Sequence, residues 1–271
     1  MFSQKNSQIA LSLGLTALVM IITIAGYQLS PRDSSLETFF FALGGKMPSG
    51  LIQAVTFFCF FVCLFGMNAL TSRIRREEFA YNAKLLPETE QYVLYPEDVN
   101  RIKLETIEVE RHLGSGLLTD LIKQAATKFR SSHSPAESLA MVETVSDMHR
   151  KSVEKDFWLI HTSQALIPAF GFLGTVLGMA AAILNMGKTQ PTAMVSPTGP
   201  VAAAAAPSAI SGTDIQVLVD SLGTAFFTTI VAIVLGIIVN VMMKRLESRV
   251  EDLHTGMKRY VVEHLINRIQ L

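Results

Sequence analysis

Two threonines stand in the middle of long apolar segments, where a lipid-facing helix would normally carry leucine or valine. Thr175 lies in PAFGFLGTVLGM (168–179), and Thr229 lies in SLGTAFFTTIVAIVLGIIVN (221–240). A hydroxyl group donates one hydrogen bond and accepts others, so it can bond to a backbone carbonyl, to another helix or to a carboxyl group. If the register of the second segment shifts by one residue, Thr228 is the candidate in place of Thr229.

Small residues share the helix face of each threonine. Such residues let helix backbones approach closely, so helix packing alone would explain either face. A threonine at mid-depth on both small faces favours instead the wall of a channel. Pro168 has no N–H, so a carbonyl of the preceding turn needs a neighbour, water or an ion. At about 100° per residue, the faces contain Pro168, Gly171, Gly174 and Gly178 in the first segment and Ser221, Ala225 and Ala232 in the second.

Four uncharged apolar runs have the length of a membrane span. They cover 9–29, 51–70, 158–186 and 215–243, and about 20 residues are enough to cross a bilayer. The sequence therefore predicts an all-α, four-span integral membrane protein. Its formal net charge of zero argues against a general role in binding polyanions.

The positive charges predict the orientation of the spans. Thirteen Lys and Arg residues lie between spans two and three and six follow Met243, whereas the two other connections carry two and one. By the positive-inside rule, the middle segment and both termini are cytoplasmic. We therefore expect a multi-pass membrane protein, with the first run as an uncleaved anchor.

The charged segments are predicted to form helices, some of which continue the membrane spans. Helices are expected from Pro96 to His112 and over 117–130, with the GSG at 114–116 between them. SPAE (134–137) has the pattern of a capping box and starts a helix of about 50 residues that includes span three. The predicted division is 1–70 with two spans, 71–157 as a cytoplasmic helical domain, 158–243 with the channel-forming spans and a flexible outer loop at 187–214, and 244–271 as a cytoplasmic C-terminal helix.

No Asp, Glu, Lys or Arg occurs at mid-depth in any of the four runs. A proton relay normally needs an ionisable group there, so if protons move through this protein, the carboxylate has to come from another chain. Asp220, at the outer end of span four, and His161, near the inner end of span three, are candidates for proton entry and exit; a hydrated mouth and interfacial packing are the alternatives. We expect no catalytic residue, metal or cofactor, because neither a metal-ligand cluster nor a nucleophile with its base is evident.

The two threonine segments resemble those of the MotA/TolQ/ExbB proton-channel family. ALIPAFGFLGTVLGM is similar to its P-x-x-G-x-x-G-T-x-x-G span, and SLGTAFFTTIVAIVLGIIVN is similar to its closing A-L-x-x-T span that ends in asparagine. The resemblance implies a homopentamer around two copies of a single-span MotB/TolR/ExbD-like partner, whose membrane aspartate carries H⁺ in preference to Na⁺. Thr175 and Thr229 match the channel-lining threonines of the family.

Some features depart from this pattern. Four spans are typical of the flagellar-stator branch, whereas GFLGTVLG is closer to the ExbB and TolQ branch. The proline often found in the closing span is absent, and Ile238 is the nearest equivalent. The implied function is a proton-conducting stator subunit of a motor driven by the ion motive force. The alternative is a non-conducting membrane scaffold that binds a cytoplasmic partner through its helical stalks.

Overall fold

The computed structural model describes residues 2–31, 35–45, 49–87, 93–188 and 212–269. Within these ranges the chain forms seven α-helices and a short 3-10 helix, Ile266–Arg268. The α-helices are α1 (Phe2–Leu29), α2 (Ser35–Ala42), α3 (Ser49–Asn82), α4 (Pro96–Leu113), α5 (Leu117–Ser132), α6 (Pro135–Lys188) and α7 (Gly212–His264).

Four of these helices, α1, α3, α6 and α7, are long and apolar enough to span a membrane. The all-α, four-span fold predicted from hydropathy is therefore confirmed. The long helix predicted from Ser134 onwards is also present, because α6 runs unbroken for 54 residues and includes Pro168. Of the outer loop predicted at 187–214, residues 189–211 lie outside the described part of the chain, and the two ends of that range are helical.

Helix α2 was not predicted, and it lies in the connection between the first two spans. Its aromatic side chains explain its position. The ring of Phe40 sits against Gly26 of α1, where a Cβ atom would come within 2.5 Å of the ring. Phe41 packs edge-on against Phe227 of α7, with ring centroids 6.2 Å apart. The short connection is therefore anchored by aromatic packing, which hydropathy does not reveal.

The chain forms two compact units. We call residues 1–63 with 162–239 the apolar unit, and residues 64–161 with 240–271 the charged unit. The division of the chain into four segments that hydropathy and charge suggested stays a prediction.

The charged unit has a hydrophobic core built around α5. Five of its side chains, Leu117, Leu121, Ile122, Val142 and Leu265, are fully enclosed. Local signals set the helix ends. Helix α4 begins with Pro96 and ends before Gly114, whose φ is 87°. Helix α6 begins after Ser134, whose hydroxyl accepts a bond from the N–H of Glu137 at 3.4 Å. These starts and stops agree with those predicted from the sequence.

The C-terminal end of the chain is tied to the segment before α4. The N–H of Leu94 donates to the carbonyl of Arg268 at 2.9 Å, and a single parallel bridge joins Leu94 and Ile269. The Tyr260 hydroxyl donates to the carbonyl of Leu86 at 3.2 Å and accepts a bond from the Leu86 N–H at 3.0 Å. These contacts join residues of the hydrophobic core that are far apart in the chain.

A polar cluster connects α4, α5 and α6 in the charged unit. His149 Nε2 lies 3.1 Å from Asp120 Oδ2, and Lys123 Nζ lies 3.0 Å from both Asp120 Oδ1 and Glu110 Oε2. Burial raises the pKa of the Asp120 carboxyl, but the bonds from His149 and Lys123 outweigh it and the pKa is lowered. The cluster therefore stabilises the fold above the unfolded pKa of Asp120, and this contribution is lost as the pH falls through the folded pKa.

Glu77→Gln is expected to stabilise the protein at neutral and alkaline pH. Burial raises the pKa of the Glu77 carboxyl, although the charges of Arg73 and His149 act in the opposite direction. Because the folded pKa exceeds the unfolded one, ionisation costs stability as the pH rises through the folded pKa and costs nothing below the unfolded pKa. The melting temperature in detergent should rise by roughly 2 °C near pH 8 and stay unchanged near pH 4.

The neighbouring substitution Glu78→Gln is a matched control for this experiment. The Glu78 carboxylate accepts two bonds from Arg249, each 2.6 Å long, so its neutralisation should lower the melting temperature or leave it unchanged. If both substitutions raised the melting temperature equally at both pH values, the loss of stability could not be assigned to ionisation of the buried Glu77 carboxyl.

Candidate functional site

Thr175 of α6 and Thr229 of α7 meet inside the apolar unit. Their hydroxyl groups are hydrogen-bonded to each other. Both also lie near the same two carbonyl oxygens: Thr175 Oγ1 is 3.3 Å from Gly171 O and 3.4 Å from Ala225 O, and Thr229 Oγ1 is 3.0 Å and 3.2 Å from these atoms. Two hydroxyls and two carbonyls thus form one polar cluster between the helices.

Small residues bring α6 and α7 close enough for this contact. Three glycines of α6, Gly171, Gly174 and Gly178, each face a residue of α7, and a Cβ atom on any of the three would come closer than 3.0 Å to that residue. The short approach leaves the hydroxyls within reach of carbonyls on the opposite helix. The facing pairs are Gly171 with Ala232, Gly174 with Thr228, and Gly178 with Ala225.

The space beside these glycines is filled by the same chain. Gly171 and Gly174 are buried against α7, while Thr175 and Thr229 are half-buried. The two threonines therefore remain partly accessible from outside the helix pair, as do Pro168 and Gly178 of the same face of α6.

The two neighbouring threonines of α7 have different surroundings. Thr228 is 3 % exposed, and its hydroxyl donates to Ala225 O at 2.9 Å while its side chain packs on Gly174. Thr229 points to Thr175. Thr228 is therefore placed as a packing residue, and Thr229 is placed beside the threonine of α6.

The remaining candidates on these helices lie in different environments. Pro168 is exposed, and α6 continues through it. Ser221 is half-buried, and its carbonyl oxygen adjoins Gly178. Asp220 lies in α7, but its side chain is outside the residues that the structure describes. The assignment of Asp220 as an entry residue thus stays a prediction.

His161 lies in the charged unit rather than beside the threonines. Its Nε2 atom is 3.1 Å from Oε1 of Glu247 on α7, and the other carboxylate oxygen of Glu247 is 2.7 Å from Lys244 Nζ. Glu247 was not singled out from the sequence. A signal for it exists, because residues 236, 240, 243 and 247 continue the small face of α7 at helical spacing.

The threonine cluster can bind a carboxyl group but cannot carry a charge itself. A hydroxyl donates to a carboxylate and accepts from a carboxylic acid. The sequence places no Asp, Glu, Lys or Arg at 158–186 or 221–243, so neither helix supplies a titratable carboxyl or amine at this level. Any group that gains or loses a charge beside the two threonines would therefore have to come from outside the cluster.

These features define a multi-pass helical membrane protein whose last two spans meet through small residues around a pair of hydroxyls. The model of the MotA/TolQ/ExbB proton channel family matches residues 115–259, which include both threonines and more than half of the chain. The protein belongs to this family, as its two motifs indicated. Comparisons with curated proteins and with solved structures gave no match.

Family membership gives the protein a proton-channel type of energy-transducing role. The family consists of channel components that work with partner subunits, and it is not an enzyme family. Membership and the four apolar helices together make this chain a multi-pass membrane protein.

Proposed function

We propose that this protein is the proton-conducting, stator-type subunit of a motor complex driven by the proton motive force. The contact between Thr175 and Thr229 carries the proposal. It places two hydroxyl groups at mid-span on a half-buried surface, between helices that hold no acidic or basic side chain of their own at that depth. Such a surface suits a mobile carboxyl group that changes its protonation state.

The carboxyl group comes from a single-span partner of the MotB/TolR/ExbD type with an aspartate in its span. Five copies of this chain surround two copies of the partner. The unequal numbers mean that the two aspartates never face equivalent threonine pairs at the same time. Protonation of one aspartate releases it from its position, and the partner then turns or steps relative to the ring.

The transported ion is H⁺ rather than Na⁺. The cluster offers two hydroxyl hydrogens together with carbonyl acceptors, and this set can satisfy a carboxylate or a carboxylic acid by hydrogen bonds alone. No carboxylate of this chain stands near it in sequence to help coordinate a metal cation. The spans lie in the inner membrane of a bacterial cell, and the charges that flank them support a cytoplasmic position for both termini and the charged unit.

The complex purified through a tag on this chain is expected to contain a single-span membrane protein. The intact mass should fit five copies of this chain and two of the partner, and vesicles that hold the complex should conduct protons. Vesicles with this chain alone are the control, because they lack the carboxyl group. A pure complex that binds its partner but conducts no protons would contradict the proposal and favour the non-conducting scaffold.

A further inference from the structure

A groove of about 520 Å³ lies between α6 and α7 within the charged unit. One end of it is lined by His161, where the apolar run of α6 begins in the sequence. Glu247 lines the groove from α7. Six other charged or titratable side chains follow along its walls: Asp147, Arg150, Glu154, Glu251, His254 and Lys258. The groove is therefore a polar surface with room for many water molecules.

The carboxylate of Glu247 contacts both His161, which also lines this groove, and a lysine of α7. One carboxylate oxygen of Glu247 is 3.1 Å from His161 Nε2, and the other is 2.7 Å from Lys244 Nζ. The His161 side chain is 52 % exposed and that of Glu247 is 27 % exposed. The imidazole is thus open to water on one side and held by a carboxylate on the other, which is the arrangement of a group that accepts and releases protons.

The other charged groups leave His161 as the accessible base of the groove. Arg150 lies 3.6 Å from Glu154 and 3.5 Å from Glu251, so both carboxylates are paired with the same guanidinium. Burial, with the charges of His149, Arg73 and Arg150, lowers the pKa of His254. Arg73 and Glu77 of α3 face His254 from a separate small cavity. His254 is therefore a weaker base than an ordinary histidine.

We propose that His161 and Glu247 form the acceptor through which protons leave the channel for the cytoplasm, an inference that rests on the proposed function. The imidazole takes a proton from water at Nδ1, and the Glu247 carboxylate stabilises the imidazolium through the Nε2–H bond. The imidazolium then returns one proton to groove water. The pair ends each cycle in its starting charge state, and the carboxylate is neither consumed nor permanently protonated.

Inside-out membrane vesicles that contain the complex with its partner test this assignment, because their outer face is the cytoplasmic one. Respiration loads the lumen with protons, and their release through the complex is measured in the outer medium. His161→Gln and Glu247→Gln are each expected to lower the release about tenfold, which is less than the roughly 100-fold or more that a positioned proton acceptor contributes, because groove water substitutes in part. Imidazole added to the outer medium should restore release by His161→Gln.

Two exposed residues of α4 provide matched controls. His112→Gln and Glu105→Gln repeat the chemical changes away from the groove, and both should release protons at the wild-type rate with no response to imidazole. Wild-type release by both groove variants, or a loss that imidazole does not restore, would overturn the acceptor role and leave the proposed function standing. A wild-type complex that releases no protons would overturn both.

Discussion

Replacement of Thr175 and Thr229 by valine is expected to stop proton-driven work while the complex still assembles. Valine has nearly the same volume and branching as threonine, so the packing of α6 on α7 is retained, but the hydroxyl group and its hydrogen bonds are lost. A hydrogen bond to a charged group contributes about 1.5–3 kcal/mol, so each single substitution should lower proton flux by roughly 10- to 100-fold. The double variant should be inactive.

Serine variants provide the control for the valine experiment. Thr175→Ser and Thr229→Ser retain the hydroxyl and remove only a methyl group, so flux should stay within a few-fold of wild type. Proton flux in vesicles and intact mass of the complex should be measured on the same preparations. Full flux in both valine variants would eliminate the threonine pair as part of the conduction path.

Gly171→Ala is expected to separate α6 from α7 and to destabilise the protein. The new Cβ atom would fall on the Cβ of Ala232, a fully buried and rigid side chain that cannot turn away. Overpacking of this kind costs about 1–3 kcal/mol. Because Gly171 O is also an acceptor of the Thr229 hydroxyl, proton flux should fall together with the melting temperature.

Two further variants separate this steric effect from a general effect of alanine. Gly171→Ala combined with Ala232→Gly removes the clash, so it should recover most of the lost stability and flux. Gly223→Ala, on α7 in the same unit, places its Cβ where nothing lies within 4 Å, so it should not destabilise. A double variant as unstable as Gly171→Ala would show that the contact with Ala232 is not the cause.

Helix positions could be predicted from the sequence because their signals are local. Pro96, the glycines at 114–116 and the Ser134–Pro135 pair each mark an end within a few residues, and the four apolar runs mark the spans. The bridge between Leu94 and Ile269 could not be predicted, since it depends on residues far apart in the chain. Helix α2 was missed because it is only eight residues long and lies in a short connection between two spans, although Ser34 and Glu37 have the spacing of a capping box.

The site was predictable to the level of helix faces but not of contacts. Helical spacing placed the threonines and the small residues on common faces. It did not reveal that these two faces pack on each other within one chain. Periodicity shows which face of a helix carries small residues, but it does not show which other helix packs against that face. The same limit hid Glu247, whose role beside His161 depends on the pairing of α6 with α7.

The shared acceptors around Thr175 and Thr229 have a consequence for how the site responds to charge. The two hydroxyls carry two hydrogens, while Gly171 O, Ala225 O and the hydroxyl oxygens all accept bonds. Several arrangements of the hydrogens therefore fit one set of heavy-atom positions, as in the proton disorder of ice. Rotation of a hydroxyl exchanges them without movement of either helix. A carboxyl group could thus lose or gain its proton at this site with little reorganisation energy, and the direction of movement would then be set by the proton supply on the two sides of the membrane.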